Sequence, residues 1–431
     1  MTRTALTLSS LIVSIILLIS GNAYLMTLLG LRLSIEEFST TTIGLILVFY
    51  SVGFVLGTLY AGRIIQRVGH IRAFAVFGAV LAASVLIYPM AVEAGLWGGL
   101  RALAGFVMAG LMIVMESWFS SKATNENRAT LFAVYQVVFF LSTAGGQVLI
   151  RVADPAGFVA FSLVAILIML AVVPLSLTRR ESPSVGEHQR MSLMNLYRVS
   201  PVGTLGALVA GLLISAFYTM GPVYGNRIGL DVGALSNFMA SAIVAAMILA
   251  WPVGLLCDRF DRYRVMLVAA SVAAVCSLIA AFLGSFNIYV LVLFVGLYMG
   301  ISATLYPIAV AISNDLMESH QVTAASTALL LSYGIGSIVG PLVSSGFMAV
   351  LGPMGLFVSN AVILGLLIGF MVLRPVHVPL EKQEHFVTMT PEAALGMAEL
   401  DPRNPDFDAN HGGEARETGS AGKTGETGRD S

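Results

Sequence analysis

The chain has 431 residues, of which 57% are hydrophobic and only 11% charged. Soluble globular proteins carry roughly 25% charged and about 45–50% apolar residues, so a soluble fold is excluded, as are disordered and collagen-like chains. There are 17 basic and 13 acidic residues up to Leu373, but 6 basic and 11 acidic from Arg374 onward, which describes a membrane body with one exposed acidic extension and no basic domain for nucleic acid.

A bilayer core of about 30 Å requires about 20 apolar residues per spanning helix. Twelve such runs occur, at residues 8–30, 42–64, 73–92, 97–119, 130–150, 157–177, 202–226, 235–257, 265–284, 288–313, 323–350 and 355–373. The first is too long for a signal peptide, has Arg3 as its single nearby cation and lacks a cleavage site, so it reads as helix 1. The expected fold is all-α, with twelve transmembrane helices in two pseudo-symmetric six-helix bundles. Residues 1–177 form the N-terminal bundle, 178–200 a charged loop with Arg179, Arg180, Glu181, Glu187 and Arg190, and 201–373 the C-terminal bundle. Residues 374–431 read as a largely disordered tail, broken by Pro375, Pro379, Pro391, Pro402 and Pro405, with a short helix predicted at 392–400.

An even number of crossings puts both termini on one side. With the N-terminus inside, the inner loops up to Leu373 collect thirteen cations and the outer loops four, namely Arg32, Arg101, Arg151 and Arg227. That bias places both termini in the cytoplasm, in a bacterial-type inner membrane. Cys257 and Cys276 supply neither a disulfide framework nor a metal spacing.

The halves share a charged segment. Gly62, Gln66, Arg67 and Arg72 recur 192 residues later as Gly254, Asp258, Arg259 and Arg264. Such a repeat signals the internal duplication that transporters use. The segment resembles the helix 2–3 signature of the major facilitator superfamily, Gly-x3-Asp-Arg/Lys-x-Gly-x-Arg/Lys-Arg/Lys. The first copy matches at Gly62, Arg67, Gly69 and Arg72 with Gln66 in the acid's place, and the second keeps Asp258 but has Asp261 where the signature has glycine. Glu116-Ser-Trp, Asn127-Arg128 and Gly145-Gly146-Gln147 are similar to the YcaD-type branch. The resemblance implies a charge network of Glu116, Arg67, Arg72 and Arg128 at the inner face, with Asp315, Asp258 and Arg259 in the analogous place of the second half. These groups would act as a gate whose pairs form in one conformation and break in the other. Gln66 carries no charge, so the N-half latch is expected to be weaker. The alternative is that the cations only set topology.

Ionisable groups inside a membrane are costly and usually functional. Arg101, in the outer turn of helix 4, is followed by Gly105 in a spacing similar to the family's helix 4 Arg-x-x-x-Gly motif. Two readings stand side by side: it faces the cavity and attracts an anion or tunes proton affinity, or it snorkels to the interface beside Trp97. No Asp or Glu falls mid-helix, so proton coupling would depend on Glu116, Arg101 or the gate acids, and uniport stays open. Neutral polar candidates for the binding cavity are Asn22, Tyr50, Gln136, Tyr218, Tyr224, Asn226, Tyr298, Tyr306 and Tyr333. Each tyrosine pairs an apolar face with one hydroxyl, which suits a partly hydrophobic solute. Packing competes with that reading for each of them. Gly221-Pro222, Pro307 and Gly336-x-x-x-Gly340-Pro341 mark helices expected to bend.

These features predict a secondary transporter of a small organic solute, neutral or weakly anionic, that works by alternating access. A sensor or scaffold that kept the fold and lost transport is the alternative. No nucleotide-binding Gly-x4-Gly-Lys-Ser/Thr segment, His-Glu-x-x-His or Gly-x-Ser-x-Gly occurs, so no enzyme activity is expected. The expected partners are the solute, the bilayer and, as an open alternative, protons. No catalytic residue, metal site or cofactor is expected, and a monomer is.

Overall fold

A computed structural model describes residues 2–120, 128–176, 191–284, 287–317 and 321–374. The tail beyond residue 374, with its expected helix at 392–400, and most of the charged loop lie outside these residues. The N-terminal half contains α1 (Thr2–Ile35), α2 (Thr40–Val68), α3 (His70–Ile87), α4 (Ala94–Ser120), α5 (Arg128–Leu149) and α6 (Phe158–Ser176). A seven-residue helix follows, α7 (Leu193–Val199), within what the sequence suggested was loop. The C-terminal half contains α8 (Pro201–Arg227), α9 (Val232–Arg259), α10 (Arg262–Leu283), α11 (Ile288–Ser302), α12 (Leu305–Asp315), α13 (Val322–Leu351) and α14 (Gly355–Leu373).

Short polar residues start the helices by accepting bonds from otherwise unpaired amides. Ser39 Oγ accepts from Thr42 N at 3.1 Å, and Asp231 Oδ1 from Ala234 N at 2.7 Å. Asn287 Oδ1 accepts from Tyr289 N at 2.8 Å. Among the described residues, eleven helices or helix pairs are long and apolar enough to cross a membrane, with α11 and α12 counted together as Ile288–Asp315. The apolar stretch Ala133–Leu149 of α5 supplies the twelfth. Apolar side chains such as Val159, Ile248, Val268 and Leu366 point outward, as they do in a multi-pass protein whose outer surface meets lipid.

Helix neighbours repeat between the halves. In the first, α1 packs on α5 and α6, α2 on α4, and α3 on α4 and α6. In the second, α8 packs on α13 and α14, α9 on α11, and α10 on α11 and α14. Glycines make the closest of these approaches. Any Cβ on Gly53 or Gly105 would collide with the Ala102 or Tyr50 carbonyl between α2 and α4. The same holds for Gly146 against Ser20 between α5 and α1, and for Gly336 against Leu208 between α13 and α8. Without a hydrophobic drive between helices in lipid, such close approach carries the association.

The prolines do not mark where a helix is interrupted. Pro222 and Pro341 sit inside continuous helices. The tenth span breaks instead at Ala303–Thr304, and Pro307 falls in the first turn of α12, where a missing N–H costs little. At that break the chain changes neighbours: α11 lies on α9 and α10, whereas α12 lies chiefly on α8.

The halves meet along α1–α8, α2–α13 and α5–α9. One end of the molecule carries the α2–α3 and α9–α10 turns and is called here the motif end. At the opposite end the halves are stitched together. Ser34 Oγ donates to Asn226 Oδ1 at 2.8 Å, Ser236 Oγ to Gln147 O at 2.9 Å, and Arg151 Nη2 to Gly233 O at 3.0 Å and to Asn237 Oδ1. Gly44 packs against Ser345 and the Pro341 carbonyl, and Gly30 against Pro222 and Thr219.

Candidate functional site

Between the two halves lies a cavity of about 730 Å³, within the range of small-molecule sites. It runs from Asn22, Met26, Gln147 and Thr219 at its depth to Gly62, Arg63, Gln66 and Met191 at the motif end. Helices α1, α2, α4, α5, α8 and α13 all contribute, so both bundles form its walls. Phe54, Phe139, Met108, Met112 and Ile214 supply apolar surface, and Ser51, Thr143, Ser215 and Ser337 supply hydroxyls. Of the described lining residues, none is Asp or Glu, and Arg63 is the one charged member.

Four of the anticipated binding residues line this space: Asn22, Tyr50, Tyr218 and Tyr333. Asn22 Nδ2 lies 3.5 Å from Tyr50 Oη, which links α1 to α2 at the wall. The others do not reach it. Tyr306 is 1% exposed and stands edge-on behind Tyr333, with ring centroids 5.3 Å apart. Tyr224 and Tyr298 pack on Phe357 inside the C-terminal bundle, at 4.9 and 6.1 Å. Asn226 belongs to the stitched end. Gln136 is buried on α5, and neither amide atom has a hydrogen-bond partner among the described residues. For these side chains bundle packing won over the cavity, because a hydroxyl or amide in a helix sequence does not reveal which neighbour its face meets.

Arg101 follows neither simple reading. It is 0% exposed, so it does not snorkel to the interface, and Trp97 is likewise buried, donating to Ala91 O at 2.9 Å. The guanidinium lies one layer behind the cavity wall. Its Cζ is 4.4 Å from the Tyr50 ring centroid, and Nη2 lies 2.8 Å from Met26 Sδ.

The charged segments divide between the halves. Arg67, Arg72 and Gln66 are exposed, and no ion pair joins either arginine to Glu116. Glu116 is itself wholly buried and accepts from Tyr135 Oη at 3.0 Å. Of the anticipated four-member network, Arg67 and Arg72 thus stand apart from Glu116, and the Arg128 side chain lies outside the described residues. In the second half, Asp258 and Arg259 are exposed, and Asp315 pairs with Arg262 rather than with them, at 2.5 Å and 3% and 1% exposure. Arg262 was missed as a site residue although it stands in the repeated segment. Gln147 was missed too; it receives the Thr27 hydroxyl and donates to Ala23 O at 3.4 Å.

The turn glycine also resolves. Gly69 ends α2 with φ 87°, a backbone region that favours glycine. Its counterpart 192 residues later, Asp261, has φ −55° and caps α10 by accepting from Tyr263 N at 3.0 Å. The departure from the glycine pattern is thus a different way of starting the same helix. Gly62 lies within α2 at the cavity wall, where an added Cβ would meet nothing within 4 Å, so it serves no turn. Gly254 is buried within α9.

The arrangement can enclose a solute between two symmetric bundles, and known proteins share it. The nucleoside transporter NupG superposes with a TM-score of 0.73 at 13% identity, over 86% of this chain and 99% of its own. A bacterial homologue of the human lysosomal transporter Spinster, in an inward-facing, occupied state, gives 0.71 at 15% identity over 89% and 98%. In sequence, an uncharacterised MFS-type transporter of Enterobacter sp. (strain 638) is 30% identical over 333 residues, 77% of this chain and 86% of that one. The uncharacterised MFS-type transporter YcaD of Escherichia coli O6:K15:H31 (strain 536 / UPEC) is 29% identical over 329 residues, 76% and 85%. The Major Facilitator Superfamily pattern itself matches residues 5–303 and 239–402. With two mirrored bundles, a central cavity and this match, the chain belongs to the Major Facilitator Superfamily of membrane transporters.

Proposed function

We propose that the protein is a secondary transporter that moves a small organic solute by alternating access, in a conformation open at the motif end and closed at the other. The observation that carries this reading is the cavity between the bundles, reached at Arg63 and Gln66 and sealed beyond Met26 by the α1–α8, α2–α13 and α5–α9 contacts. Rocking one bundle against the other would break the Ser34–Asn226 and Arg151–Asn237 bonds and bring the motif ends together. In that closed state the exposed Arg67, Arg72, Asp258 and Arg259 would find partners across the gap, so they bias a two-state equilibrium. Loop cations support a motif end on the cytoplasmic side of an inner membrane, with both termini there. A single chain encloses the whole cavity, which supports a monomer. For proton coupling, the candidate group is Glu116, wholly buried and accepting from the Tyr135 hydroxyl.

Single cysteines at Thr143 and Ser337 test the reading, with Cys257 and Cys276 buried and free as a quiet background. In oriented vesicles, a membrane-impermeant maleimide is expected to modify both positions from the cytoplasmic face, and from the opposite face only after cycling. Labelling from neither face would remove the cavity. Solute binding in liposomes without flux would leave a sensor instead.

A further inference from the structure

Among the described residues, two arginines are almost wholly buried, and one of them, Arg262, has a counter-ion there. Arg262 is 1% exposed and faces the Asp315 carboxylate at 2.5 Å. Arg101 is 0% exposed, and no carboxylate pairs with it; Nε and Nη1 have no hydrogen-bond partner among the described residues. A buried cation without a partner is expensive and is retained where something supplies the missing charge. Three neutral groups stand beside its guanidinium, the Tyr50 ring, the Met26 sulfur and the buried Tyr88 hydroxyl, and the first two line the cavity. The space in front of them contains no described acid, and Arg63 stands at its mouth.

We infer that the cavity takes a solute bearing one negative charge on an apolar, partly aromatic frame, with Arg101 as its counter-charge. This deepens the transporter reading and rests on it. The anionic group seats against Asn22 and Tyr50, where the Asn22 amide and the Tyr50 hydroxyl offer donors and the guanidinium lies directly behind. The rest of the molecule lies among Phe54, Phe139, Met108 and Met112. A cationic solute would meet a field of its own sign. A polyanion would find one buried cation for several charges.

The test uses purified full-length protein at pH 7 and matched acid, amide and amine probes: phenylacetate, indole-3-acetate and 2-naphthylacetate, each with its primary amide and its ethylamine analogue. Thermal stabilisation is measured for wild type, Arg101→Gln and Arg101→Lys, because a ligand that prefers the folded state raises its apparent stability. Acids are expected to bind more tightly than their amides by about tenfold or more, and amines not at all. Arg101→Gln should bring acid binding down to the level of the amide, and Arg101→Lys should keep part of the difference. A merely structural arginine would weaken all probes together. Should Arg101→Gln fail to fold, the lysine variant and the wild-type charge series still decide the matter. Equal stabilisation by acid and amide, stabilisation by amines, or no response to any acid would overturn the inference. Counterflow of the bound acid in liposomes separates this from the transporter reading. Acid-selective binding without flux leaves the anion site standing and removes transport, whereas flux of amines, or of amides with no preference for the acid, does the reverse.

Discussion

At the motif end of the C-terminal half, Arg262 at the start of α10 is paired with Asp315 at the end of α12, both buried. The corresponding position in the N-terminal half, 192 residues earlier, is His70, 3% exposed, whose Nε2 has no hydrogen-bond partner among the described residues. There the buried carboxylate is Glu116, which meets a tyrosine hydroxyl, and the buried cation is Arg101, deep in the bundle. The two halves therefore share helix neighbours and glycine contacts but not their placement of charge. Duplication conserved what the backbone needs for packing, while the described charges are placed differently, as a buried arginine–aspartate pair in one half and as a glutamate on a tyrosine hydroxyl in the other.

The comparison is broken most directly at Asp315. Asp315→Asn leaves the Arg262 guanidinium buried beside a neutral group, and a loss of about 3–5 kcal/mol in unfolding free energy is expected, read as a fall in thermal midpoint in detergent. Arg262→Met combined with Asp315→Leu should recover most of it, since an apolar pair replaces a charged one. On the N-terminal side, Tyr135→Phe removes one donor from Glu116, and chemical denaturation should show a loss of about 1.5–3 kcal/mol. The two turns sharpen the contrast further. Gly69→Ala forces a positive φ on a residue with a Cβ and should cost about 1 kcal/mol, whereas Gly62→Ala, in a helix with open space, should gain about 0.5–1 kcal/mol in the same measurement. A comparably small effect belongs to the stitched end. Ser34→Ala removes one bond between the halves, about 0.5–1.5 kcal/mol, and should raise the accessibility of cavity cysteines from that side by up to about tenfold.

Much of this architecture was legible in the chain. The spans, the division into halves and the 192-residue repeat all follow from apolar runs and the matched Gly62 and Gly254 segments, because lipid forces every backbone group into helices. The site was legible only in part. Asn22, Tyr50, Tyr218 and Tyr333 face the cavity, but Tyr224, Tyr298 and Tyr306 differ from them only in which helix face they occupy, and a helix apolar on all sides has no periodicity to report that. The partner of Asp315 was hidden for another reason. Exposed Asp258 and Arg259 looked like the charged pair, yet Arg262 is the residue whose position at the start of α10 turns it inward. The interruption of the tenth span was not legible from its proline, since it falls at Ala303–Thr304, ahead of Pro307.

That interruption has a mechanical consequence. A straight rod transmits torque along its whole length, but a rod cut in the middle of the bilayer behaves as two short levers on a common pivot. The α11 lever is fastened to α9 and α10, and the α12 lever lies on α8 with its tip clamped to α10 by Arg262. Displacement of α8 is therefore felt chiefly by α12 and its charged tip, and much less directly by α11.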